Sequence, residues 1–102
     1  MQIYSFSNIN TIMFSYSHLH KIRLKYSAND AKRWIELEYY ATEDENNCSR
    51  YLYELFDSKK FMQVLGDIVR LLSAKYPEGF KVVGSHDTNV YEFFLNNPFQ
   101  VL

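Results

Sequence analysis

Between Ile12 and Tyr26 the even positions are Ile12, Phe14, Tyr16, His18, His20, Ile22, Leu24 and Tyr26, while the odd positions end in Lys21, Arg23 and Lys25. A period of two marks a strand with one buried and one solvated face. Fifteen residues in one phase exceed the usual strand length, so a bend near Ser17 is expected. A shorter alternation over residues 2–7, with Tyr4 and Phe6 on one face, predicts a first strand set off by the turn-forming "SNIN". "SANDA" predicts the next turn and "KRWIELEYYA" the returning strand.

The pattern also predicts a register. With Ser27 opposite Lys32, Arg23 meets Glu36, Lys21 meets Glu38 and Lys25 lies near Trp34, while Ile22 meets Leu37 and Leu24 meets Ile35 on the other face. Such cross-strand pairs contribute roughly 0.2–1 kcal/mol each, and a slip by one residue would send the aliphatics to solvent. Glu36 and Glu38 therefore account for the basic row.

After Cys48 the period becomes helical. "TEDENN" reads as the segment before a helix, with Asn46 or Asn47 as N-cap and acidic residues near the positive helix end. Leu52, Leu55, Phe56, Phe61, Val64, Leu65, Ile68, Leu71 and Leu72 follow at three- and four-residue steps. Asp57 and Ser58 are N-cap types that would divide residues 48–76 into two helices, and "YPEG" stops the pattern. "FKVVGSHDTNVYEFF" predicts a closing hairpin. The expected architecture is one α+β domain over residues 1–102. An antiparallel sheet, an N-terminal three-stranded meander plus the C-terminal hairpin, packs on one long or broken helix in the order β-β-β-α(α)-β-β.

Composition alters this picture little. Hydrophobic residues are 47% and charged residues 23% of the chain, a globular balance. The formal net charge of −1 offers no global field for a polyanion, yet charge is segregated. Residues 1–35 carry five Lys/Arg against Asp30, and residues 36–57 carry seven Asp/Glu against Arg50. One cysteine, Cys48, permits no intrachain disulfide, and neither a signal peptide nor a membrane-length apolar run is evident. A cytoplasmic protein is expected.

Candidate chemistry is sparse. His18 and His20 on one strand face, with His86 beside Asp87, are the metal-ligand candidates, though the first two share their face with Phe14, Tyr16 and Ile22, as core imidazoles would. Cys48 at a helix N-terminus would have a lowered thiol pKa, but no base or oxyanion donor is attached to it by the pattern. Ser85, His86 and Asp87 are adjacent in a turn, which does not present a triad geometry. Gly66, Gly79 and Gly84 form no phosphate-binding motif. No catalytic residue, cofactor or metal is assigned.

Two binding roles remain. Lys21, Arg23 and Lys25, with Trp34 and Tyr40, have the ingredients of a single-stranded nucleic-acid platform, but share their face with Glu36 and Glu38. Trp34, Tyr39, Tyr40, Glu43, Asp44 and Glu45 are the preferred site: aromatic types enriched at interface centres beside charges suited to a basic partner. Tyr39 and Tyr40 point to opposite faces, so at least one is expected at the surface. The function expected is a non-catalytic protein-binding module, a viral or mobile-element inhibitor or accessory protein that blocks a partner such as a nucleic-acid enzyme. A nucleic-acid binder and a small hydrolase or metal protein are the alternatives. Residues 2–7 or 89–95, as an uncovered edge strand, would permit a homodimer.

Overall fold

The computed structural model describes residues 2–57, 59–85 and 87–95. Along the chain come β1 (Gln2–Ile3), α1 (Phe6–Ser15), β2 (Lys21–Ala28), β3 (Arg33–Tyr40), β4 (Ser49–Leu55), α2 (Lys60–Lys75), β5 (Lys81–Ser85) and β6 (Val90–Phe94). The strands form one sheet in the order β1-β4-β3-β2-β6-β5. All neighbours are antiparallel except β1, which runs parallel to β4. The fold is therefore α+β with a mixed six-stranded sheet, where a wholly antiparallel sheet is expected from the sequence.

The β2–β3 hairpin keeps the predicted faces and shifts the register by two. Arg23 lies opposite Glu38, Lys25 opposite Glu36, Leu24 opposite Leu37 and Ile22 opposite Tyr39. An even shift preserves every side chain's face, so the alternation alone does not separate the two registers. The turn decides. Asn29 Oδ1 accepts from the backbone N–H groups of Ala31 and Lys32 at 2.9 and 2.8 Å, closing an Asx turn over residues 29–32.

Two predicted elements change type. Residues 6–15 are helix rather than strand, because Ser5 acts as N-cap, its Oγ accepting from Asn8 N–H at 3.4 Å. Ile9 and Met13, four apart, are the positions this helix buries, while Phe6 and Phe14 are exposed. "SNIN" is thus its first turn. Residues 49–55 are strand rather than helix: Tyr53 and Leu55 point into the core, Tyr51 packs against it, and Leu52 and Phe56 are exposed. The observed meander is accordingly β2-β3-β4, one strand later than expected, and residues 41–48 are its second connection rather than the approach to a helix.

α2 and the closing hairpin form as expected. Asp57 Oδ1 accepts from Lys59 and Lys60 N–H at 2.9 and 3.2 Å and so fixes the turn that enters α2, whose N-cap position is Lys59, without a side-chain cap; Ser58 lies outside the described residues. Tyr76 N–H donates to Leu72 O, and Gly79 at φ 108° completes the stop. The hairpin's tight point is Gly84, where a Cβ would meet Val90 O at 2.4 Å and Tyr91 Cα at 2.7 Å.

Both helices lie on one face of the sheet. Ile9 and Met13 of α1 and Phe61, Val64, Ile68 and Leu72 of α2 close over Ile22, Leu24, Ile35, Leu37, Tyr53 and Phe93. The helices are tied to each other as well. Lys75 Nζ donates to Met13 O and Tyr16 O at 2.6 and 2.8 Å, supplying the cation that the last turn of α1 lacks. Buried Asp67 accepts from the Tyr4 hydroxyl and from Arg70.

Candidate functional site

The face without helices carries the basic row. Lys21, Arg23 and Lys25 of β2 stand there with Arg50 of β4, and Glu36, Glu38, Glu92 and Glu45 stand among them. Lys21 Nζ reaches Glu45 at 2.7 Å and Glu92 at 3.3 Å and lies 4.6 Å from the centre of the Tyr40 ring. Arg23 binds Glu92 at 2.9 Å and Glu38 at 3.3 Å. Arg50 binds Glu38 at 2.9 Å, and Lys25 lies 3.6 Å from Glu36.

Burial follows from this mesh. Glu38 is 1% exposed and Lys21 3%, although no helix covers them. Burial would push the Glu38 carboxyl up, but the Arg50 hydrogen bond, the Lys25 charge and the Tyr40 hydroxyl outweigh it and hold the carboxyl below the usual range. A phosphate approaching Lys21, Arg23 or Lys25 would have to displace a carboxylate from each. Glu36 and Glu38 restrain Lys25 and Arg23, whereas Lys21, expected against Glu38, is held by Glu45 and Glu92 through loop and sheet contacts that local pairing does not reveal.

The preferred aromatic and acidic site is dispersed. Tyr39 is 1% exposed on the helix face, stacked on Tyr16 at 5.8 Å, and burial raises its hydroxyl pKa. Tyr40 is 2% exposed on the other face, beneath Lys21 and Arg23. Neither is at the surface, which corrects the expectation for the pair: both faces of this strand are closed, one by helices and one by charged side chains. Half-buried Trp34 lies six residues from Tyr40 along β3, about 20 Å at strand rise, and so is remote from the acidic loop. Glu45 is drawn onto Lys21 and Arg23. Glu43 and Asp44 are exposed, with Asp44 Oδ1 accepting from Asn46 N–H inside the loop.

The metal and nucleophile candidates are not brought together. His18 and His20 lie in the α1–β2 connection rather than on a strand, and both make contacts within the fold. His86 is outside the described residues, among which no cluster of three or more His, Cys, Asp or Glu side chains is placed to hold a metal. Cys48 precedes a strand, so the helix N-terminus that would activate its thiol is absent there. Ser85 is engaged by Thr88 within the hairpin turn.

A feature the sequence does not announce lies at the far end of β4. Ile3, Phe6 and Phe56 are 49%, 40% and 74% exposed, and all three line one cleft of about 220 Å³. Lys60, Gln63 and Glu54 supply its polar rim. Phe56 reads as a core residue only if residues 48–56 are helical; the strand turns it outward.

The class defined by these features is a two-layer α+β protein with one helix-covered and one charge-covered sheet face. Comparison with protein families, with curated proteins and with solved structures gave no match. Among the described residues no helix is long and apolar enough to cross a membrane.

Proposed function

We propose that the chain is a non-catalytic protein-binding module, an accessory or inhibitory protein that works by occupying a surface of another protein. The observation that carries this reading is the cleft bounded by Ile3, Phe6 and Phe56. Scattered apolar side chains are ordinary on a surface, but three large ones around one depression with a charged rim have the composition of an interface centre. The partner would insert an apolar side chain between Phe6 and Phe56. The exposed acids Glu43 and Asp44, at the opposite end of β3 and β4, offer a second, charged contact that would speed association with a basic partner.

The test is affinity capture from native cell extract in moderate salt with nuclease present, using the unaltered chain, Phe56→Ser, and Glu43→Lys with Asp44→Lys. Both sites are exposed, so the variants keep the fold. A stoichiometric protein lost with Phe56→Ser supports the cleft. Loss only with the acid reversals moves the contact to the loop, and capture unaffected by either removes both surfaces. Material released by nuclease would instead favour nucleic-acid binding through Lys25 and Arg50, the more open cations of the charged face, with side chains 39% and 58% exposed.

A further inference from the structure

The sheet has two edges of unlike length. β1 is two residues long, the short kind of edge that resists pairing with another chain. β5 has five residues, all exposed, and contains no proline; among the described residues it is hydrogen-bonded only to β6, and no described strand pairs with its outer backbone groups. Residues 89–95, expected as an uncovered edge, contain β6, which is interior, between β2 and β5.

Among the described residues the helix layer also leaves β5 exposed. α2 turns Asp67, Arg70 and Lys75 toward β1 and α1, through Tyr4, Phe6 and Met13. By helical period, Met62, Leu65 and Val69 then point to the other side, over the β5 end of the sheet. Met62 is 54% and Val69 37% exposed, and Val82, which shares the helix-side face with Phe93, is 46% exposed. A polar edge and an apolar shelf therefore adjoin.

We propose that this edge pairs with a second copy of the chain, β5 against β5 about a two-fold axis, to give one continuous twelve-stranded sheet. Side chains opposite each other across an antiparallel pair must share a face, so only registers of even sum are allowed. The register centred on Val83 is the one that pairs all five residues: Val83 with Val83, Val82 with Gly84, and Lys81 with Ser85. It brings Lys81 of each copy beside the turn bearing exposed Asp87 of the other, so the charges complement. Val82 meets Gly84, whose side-chain position is already taken by the Tyr91 ring, so the valine packs against that ring. The edge of a five-residue strand, about 17 Å long, is by itself too small to bury the roughly 800 Å² per partner of a standard interface. The axis sets both α2 helices on the same side of the joined sheet, where Met62, Leu65 and Val69 supply the remaining apolar area.

The test is the mass of the full chain in solution by light scattering and sedimentation across the micromolar range. The expected species is a dimer. Val83→Lys places two like charges across the axis and should weaken the dimer about a hundredfold, as should Val83→Glu. Mixing the two folded variants should restore a heterodimer, which a loss of fold would not allow. A wild-type monomer throughout the range, a dimer indifferent to Val83→Lys, or folded variants that do not recover on mixing would each overturn the proposal.

Discussion

Ile22 and Arg23 are neighbours on β2, and the two faces they point to are closed by different means. Beneath Ile22 lie two helices and a continuous set of aliphatic and aromatic side chains. Beneath Arg23 the described residues form no further layer, yet Glu38 at the centre of that face is nearly as inaccessible as Ile22. Apolar burial gains from leaving water whatever the detailed pairing, whereas a buried carboxylate gains only while each of its partners remains in place. The helix-covered face should therefore tolerate reshaping and punish lost volume. The charged face should tolerate lost volume and punish a lost partner.

The largest effect is expected on the helix-covered face. Phe93 is fully buried, opposite Ile22 on β2 and 6.3 Å from the Phe80 ring. Phe93→Ala should lower unfolding stability by about 3–5 kcal/mol, read from the denaturation midpoint, while Phe93→Leu should cost clearly less. Equal losses from both would break the comparison, since volume would then not govern that face.

Next comes Glu38. Glu38→Gln keeps the shape and removes the charge that Arg23, Arg50 and Lys25 share. A loss of about 1–3 kcal/mol is expected, discounted because Arg50 and Lys25 can turn to water. The folded-state pKa of Glu38 lies below its ordinary value. Its contribution is thus fully present above about pH 4.3, the ordinary glutamate pKa, and is lost as pH falls through the lower folded value. Resistance of the native protein to urea should fall with acid across that window, and Glu38→Gln should flatten the slope. An unchanged slope would show that the ion pairs only decorate the face.

How far these faces were legible follows the same division. Alternation from Lys21 to Tyr26 and from Arg33 to Tyr40 assigns each side chain's face, because the period is local, and the helical run from Phe61 to Leu72 is equally plain. Ile9 and Met13 were obscured because Ile12, Phe14 and Tyr16 also satisfy a period of two. Tyr51, Tyr53 and Leu55 were obscured in the opposite sense, since Leu52, Leu55 and Phe56 satisfy a helical step. Glu92 joins Arg23 only because β6 returns beside β2, a pairing across nearly seventy residues that no local pattern contains. The cleft at Phe56 was hidden for a related reason: it exists only where the ends of β1 and β4 meet the beginnings of α1 and α2.

The smallest effect should come from the rim of the charged face, and it separates rim from base. Glu45 is the exposed partner of its ion pairs, its side chain 61% exposed above buried Lys21. Lys21 and Arg23 hold its carboxyl below the usual range, through the Lys21 hydrogen bond first and then their charges. Water can replace Glu45 at the surface, whereas Glu92 still reaches Lys21 from below. Glu45→Gln should leave the denaturation midpoint nearly unchanged and instead raise amide exchange and proteolytic nicking in residues 41–48, as the loop loses its tether to the sheet. The same release should appear in the native protein at high salt, because exposed pairs are screened while Glu38 is sheltered. A midpoint shift as large as that of Glu38→Gln would mean that rim and base act as one unit, and that Glu45 is a structural part of the charged face rather than its cover.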